Sequence, residues 1–157
     1  MPDRVPPHEP ALSIRRAATR LCLHLDWAPL HEVPLPNGRR ADILALAGDG
    51  TFTCIEIKSG PRDFQTDDKW PEYREFSDAL CFAVADDFPQ SLLPPDTGLI
   101  VTAGSEAELI RPPPIHRLAP ARRAALTRLF ARLAGQRLTW AEDPAGVAAA
   151  RAAGRVE

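Results

Sequence analysis

Arg39-Arg40-Ala41-Asp42-Ile43-Leu44-Ala45-Leu46, then Gly48-Asp49-Gly50, then Thr53-Cys54-Ile55-Glu56-Ile57-Lys58 is the stretch that decides how this chain folds. Both apolar runs have strand length, and the glycine-rich segment between them is a hairpin signal. Alternation along the second strand sends Glu56 and Lys58 to one face and Ile55 and Ile57 to the other. With a three-residue loop in which Gly50 takes the left-handed position, Asp42 stands directly opposite Glu56, Cβ atoms roughly 4.5–5.5 Å apart. Two carboxylates at that spacing repel unless a divalent cation lies between them. A two-residue Asp49-Gly50 loop would slip the pairing by one and turn Asp42 to the wrong face. The first register is preferred because it alone gathers the three charges.

Working outward, Leu12, Ile14, Ala18, Leu21, Cys22 and Leu25 recur at helical spacing and predict an amphipathic helix over Ala11 to Leu25. The proline-rich residues 1–10 before it read as loose. Trp27 to Val33 reads as a strand, ended by a turn through Pro34, Pro36, Asn37 and Gly38. After Lys58, helical composition extends from Arg62 to Ala79. Pro71 is tolerable there if Asp67 or Asp68 is an N-cap. Leu80 to Ala85 and Gly98 to Thr102 are unbroken apolar runs, as in strands buried on both faces, joined by a loop from Phe88 to Thr97. Ala107 to Ile110 is a candidate edge strand, and Pro120 to Leu133 a last helix with Gly135 near its end. The alanine-rich stretch 141–157 reads as a frayed helix or a disordered tail. The order implies one α/β domain over residues 11–140, a mixed β-sheet flanked by helices on both faces.

A chain of 157 residues buries enough surface to fold without disulfide or structural metal. Cys22, Cys54 and Cys81 are odd in number and sit in apolar runs, which predicts buried thiols in a reducing compartment. Prolines at positions 2, 6, 7 and 10 occupy the place of a signal peptide's apolar run, and no segment approaches a membrane span; a cytoplasmic protein is expected. The net charge of −2 does not advertise nucleic-acid binding, but arginines cluster locally. Arg39 and Arg40 precede Asp42 on the same hairpin and are the expected phosphate contacts. The late cluster from Arg122 to Arg137 reads more simply as a solvated helix face.

Asp42 and Glu56, with Lys58 two residues on, form a minimal set for cutting a phosphodiester. The acids suit Mg²⁺ or Mn²⁺, and the lysine suits either positioning a water or stabilising charge on the phosphate. Glu32 is a candidate third acid and His31 a weaker one. The histidines lack zinc-ligand spacing. Cys54, on the same strand face as Glu56, reads as structural, and Trp70 as a core anchor.

Asp42 followed by Glu56-Ile57-Lys58, on a helix, three-strand, helix core, resembles the PD-(D/E)XK nuclease superfamily. The longer string is similar to the MmcB family of bacterial DNA repair proteins from about Ala11 to Leu138. It comprises Arg39 to Asp42, Glu56 to Ser59, Asp63-Phe64, Asp68-Lys69-Trp70-Pro71-Glu72-Tyr73, Phe82 to Val84, Asp87 to Pro89 and Gly98 to Val101. The resemblance implies a restriction-endonuclease-like fold and a DNA repair role with metal-dependent hydrolysis of DNA. It also implies a metal on Asp42 and Glu56 with Lys58 beside it, and a polar contribution from Lys69 and Tyr73 on the following helix. Ala41 replaces the proline of the superfamily motif, and the first helix lacks the acid many members carry there, so the third ligand stays open between Glu32 and others. A DNA- or partner-binding module that kept the fold without cleavage is the rival reading. In either case the DNA, branched or damaged, is selected by its shape, by a homodimer or by a repair-complex partner.

Overall fold

The structure, a computed structural model, describes residues 9–154, and the hairpin has the register that gathers the acids. β1 (Trp27–Pro34), β2 (Arg40–Ala47) and β3 (Phe52–Lys58) form an antiparallel meander. Ile43 faces Ile55 and Leu46 faces Phe52 across β2 and β3. The Ala47 N–H donates to Thr51 O and the Gly50 N–H to Ala47 O, so the loop is Gly48, Asp49 and Gly50. Gly50 has a φ of +87°, where any side chain would be strained.

Six strands lie in chain order, continuing through β4 (Ala79–Ala85), β5 (Gly98–Ala103) and β6 (Glu106–Arg111). β3, β4 and β5 run parallel, and β6 returns antiparallel as an edge. β4 therefore has helices over both faces and a parallel neighbour on each side, which is why its sequence shows no polar alternation. On one face α1 (Glu9–His24) sets Ile14, Ala18 and Cys22 against Ile43, Ile55, Cys81 and Ile100. On the other, α3 (Pro120–Glu142) sets Leu126 and Phe130 against Leu44, Phe52, Cys54 and Leu80. The architecture is the single-domain α/β fold expected, a mixed sheet between helical layers.

Several boundaries differ. Residues 1–8 and 155–157 of the expected loose ends lie outside the described residues, while α1 already begins at Glu9. The helix expected from Arg62 to Ala79 is two short pieces, α2 (Pro61–Gln65) and a 3-10 helix (Trp70–Phe76), with a break at 66–69. The break lets Phe64 and Trp70 reach the same strand, both rings edge-on to Phe82 at 5.4 and 5.5 Å. Pro71 does fall in a first turn, but Lys69 is the N-cap, and the Asp67 side chain instead accepts from the Lys69 N–H. α3 continues through Gly135 to Glu142, past the expected end. Its far end is pinned to β1 by Arg137, which donates to Glu32 O, and the mid-helix Gly135 does not end it. The alanine-rich stretch forms α4 (Pro144–Ala153), whose first turn is capped by Asp143 accepting from the Gly146 N–H.

Candidate functional site

At the open end of β2 and β3 the backbone ladder stops at Ile43 and Ile55, and side chains take over. Asp42 N–H donates to Glu56 Oε1 at 3.1 Å, and Ile57 N–H donates to Asp42 Oδ2 at 2.8 Å. Each carboxylate thus ties down the other's strand, which fixes both acids on rigid β-structure. One oxygen of each is occupied in this way, leaving the others without a hydrogen bond among the described residues. Glu56 is 3% exposed. Burial pushes its carboxyl well above the ordinary range, and the charge of Asp42 pushes it further. Burial raises Asp42 too, against the Ile57 N–H and the Lys58 charge, which lower it. Ionising both acids is therefore disfavoured, and a cation between them would favour it.

These acids border a pocket of about 290 Å³, with Lys58, Glu32 and Tyr73 on its walls. Lys58 is buried and donates from Nζ to Asp67 Oδ2 at 2.5 Å. Asp67 and Asp63 also line the pocket, as does Arg15 from α1. None of these three was picked out as a site residue from sequence; the density of acids just after the Glu-x-Lys strand was the available signal for two of them. Asp63 accepts from the Ser59 N–H and faces the same end of β3.

The other expected site residues divide. Tyr73 is at the pocket and its hydroxyl donates to Arg40 O at 3.1 Å. Lys69 is exposed and not among the pocket's lining residues, because a 3-10 helix stacks i with i+3 and so does not align Lys69 with Tyr73. Arg39 Nε lies 2.9 Å from Glu72 Oε2, an ion pair without hydrogen-bond alignment. Arg40 is more exposed, with Nη2 4.0 Å from Glu32 Oε1. In the late cluster Arg122, Arg123 and Arg137 bind Glu75 O, Asp78 and the carbonyls of β1, so they join layers of the fold. Cys54 Sγ lies 3.7 Å from Glu56 Oε1, and burial first, then that acid's charge, pushes its thiol up, away from nucleophilic character. His31 Nε2 is 2.8 Å from Thr19 Oγ1.

Among the described residues no group of three or more His, Cys, Asp or Glu converges as a preassembled cage. Two oxygen donors on rigid strands nevertheless fit Mg²⁺ or Mn²⁺, hard cations that are held by one or two carboxylates and keep waters.

The fold and the pocket define an α/β protein with a buried acidic pair and a lysine at one end of a mixed sheet. The family model described as DNA repair protein MmcB-like matches residues 3–145, and the chain belongs to that family, whose description assigns it to DNA repair. Among solved structures the chain is similar to the SPO1766 protein of unknown function from Silicibacter pomeroyi, at 37% identity and a TM-score of 0.83. That similarity covers 88% of this chain and 94% of the other. No curated protein matches the chain. Among the described residues no helix is long and apolar enough to cross a membrane.

Proposed function

We propose that this protein hydrolyses DNA phosphodiester bonds with a divalent cation, on a restriction-endonuclease-like scaffold of the PD-(D/E)XK kind, as part of DNA repair in the cytoplasm. The observation that carries the reading is the carboxylate pair, Asp42 and Glu56, each anchored by a backbone N–H of the other's strand, with Glu56 buried and Asp42 partly so, beside the buried Lys58. Asp42 and Glu56 would hold Mg²⁺ or Mn²⁺, with Glu32 as third acid. When bound, the cation supplies Lewis-acid polarisation of a phosphoryl oxygen and lowers the pKa of water. Lys58, ion-paired with Asp67, acts as a cation that stabilises negative charge on the phosphate rather than as a base. Tyr73 on the pocket wall and the exposed Arg40, whose carbonyl Tyr73 binds, would orient the DNA backbone, with Arg39 and Lys69 as outlying contacts.

A second reading, a DNA- or partner-binding module without cleavage, is favoured by one observation: Lys58 is already bound to Asp67 and so is not poised solely for chemistry. One experiment separates the two. Mn²⁺ and Mg²⁺ are titrated by calorimetry into wild type and Asp42→Asn, and both are incubated with labelled branched, flapped and single-stranded DNA. Metal binding and metal-dependent cleavage by wild type alone support the nuclease. DNA binding without metal binding or cleavage establishes the recognition module instead.

A further inference from the structure

Among the described residues two that are not glycine hold a positive φ, Asp26 at +58° and Glu32 at +46°. Asp26 follows α1, where a left-handed residue is an ordinary way to close a helix. Glu32 lies inside β1, between His31 paired to Ile43 and Val33 paired to Ala41. No turn requires a left-handed residue there, and a side chain is strained in that conformation. Arg137, from the far end of α3, donates Nη1 to His31 O and Nη2 to Glu32 O, the latter at 2.9 Å. Successive carbonyls of a regular strand point to opposite sides; the kink at Glu32 brings two of them to one guanidinium fork. The Glu32 carboxylate, 17% exposed, lines the pocket with Asp42 and Glu56.

We propose that Arg137 is a positioning residue: its two-pronged grip on the carbonyls of His31 and Glu32 holds Glu32 left-handed, and so sets the Glu32 carboxylate at the acid pocket as its third acid. The role of Glu32 toward a cation rests on the proposed function; the grip itself does not. α3 is thereby joined to the site over a sequence separation of 105 residues.

A two-by-two set of variants, wild type, Arg137→Gln, Glu32→Gly and the double variant, is followed by thermal unfolding and by Mn²⁺ calorimetry. Glycine adopts the left-handed conformation unaided. Arg137→Gln should therefore lower Tm by roughly 5 °C beside Glu32→Gly, where only the two hydrogen bonds are lost, and by less than about 2 °C in the parent, where Glu32 relaxes and the released strain offsets part of the loss. Equal losses in both backgrounds would overturn the grip and leave Arg137 a simple tie between layers. Arg137→Gln and Glu32→Gly, which also removes the carboxylate, should each weaken Mn²⁺ by about 10-fold to 100-fold, with little added in combination. If wild type binds Mn²⁺ and Arg137→Gln binds it equally well, the positioning role fails. If wild type binds no Mn²⁺, the nuclease reading fails, and the thermal set alone decides the grip.

Discussion

Lys58 Nζ and Asp67 Oδ2 lie 2.5 Å apart across the pocket wall, joining the last residue of β3 to the break between α2 and the 3-10 helix. Burial pushes the Asp67 carboxyl up, but the hydrogen bonds from Lys58 and the Lys69 N–H together hold it below its ordinary range. Asp67→Asn removes the charge that matches a lysine only 5% exposed. Expected is a loss of roughly 1.5–3 kcal/mol in urea unfolding, the worth of a hydrogen bond to a charged group. A loss under about 0.5 kcal/mol would mean that water, or the acidic pair, already satisfies Lys58.

The acidic pair predicts the opposite sign. Glu56 and Asp42 have raised pKa values because burial penalises their charged forms. The unfolded chain ionises near pH 4, whereas the folded chain does so only at higher pH. These groups therefore leave stability unchanged below about pH 4 and reduce it as pH rises above that. Glu56→Gln removes the penalty, so the metal-free variant should be more stable than wild type at neutral pH by on the order of 1 kcal/mol, and no more stable in acid. Saturating Mn²⁺ should raise the Tm of wild type and not of Glu56→Gln. Metal-free unfolding curves at pH 4 and pH 8 check the first claim, and Mn²⁺ additions at the higher pH check the second.

The hairpin was legible because alternation and a glycine loop act over adjacent residues: Asp42, Glu56 and Lys58 come together by strand period alone. β4 and β5 were legible from unbroken apolar runs. The break at 66–69 was not, because it depends on Phe64 and Trp70 meeting Phe82 from another strand. Nor was the interior run of α3 past Gly135, which depends on Arg137 reaching β1. Asp78 was invisible for the same reason: its partners Phe52, Leu118 and Arg123 are far away in sequence.

Asp78 should be the residue whose loss unfolds the protein most readily by polar means. It is 1% exposed and accepts from the N–H groups of Phe52 and Leu118, both at 2.8 Å, and from Arg123. Burial pushes its carboxyl up, but the Arg123 hydrogen bond and the two backbone donors outweigh it and hold the pKa below the ordinary range. That contribution is complete above the unfolded value near 4 and fades as pH falls through the lower folded value. Asp78→Ala leaves the Phe52 and Leu118 N–H groups without an acceptor and the Arg123 side chain with Gly50 O alone among the described residues, a loss of roughly 3–5 kcal/mol at pH 7. Denaturant midpoints measured at pH 7 and near pH 3 should show the gap between variant and wild type narrowing in acid.

Gly98 opens β5 opposite Cys81, and its missing side chain is a packing requirement rather than a matter of backbone freedom. A Cβ there would stand 2.4 Å from Cys81 Sγ and 2.9 Å from Pro113 Cβ, on two sides at once. Cys81 is fully buried on β4 and Pro113 belongs to the segment after β6, so neither yields without moving a strand or its exit. Gly98→Ala should lower stability by roughly 1–3 kcal/mol, the range for an overpacked core. Because the sulfur is the nearer obstacle, Cys81→Ala should relieve part of that loss, and the double variant should be more stable than the sum of the two single effects predicts. Strict additivity in thermal unfolding would place the obstruction at Pro113 instead.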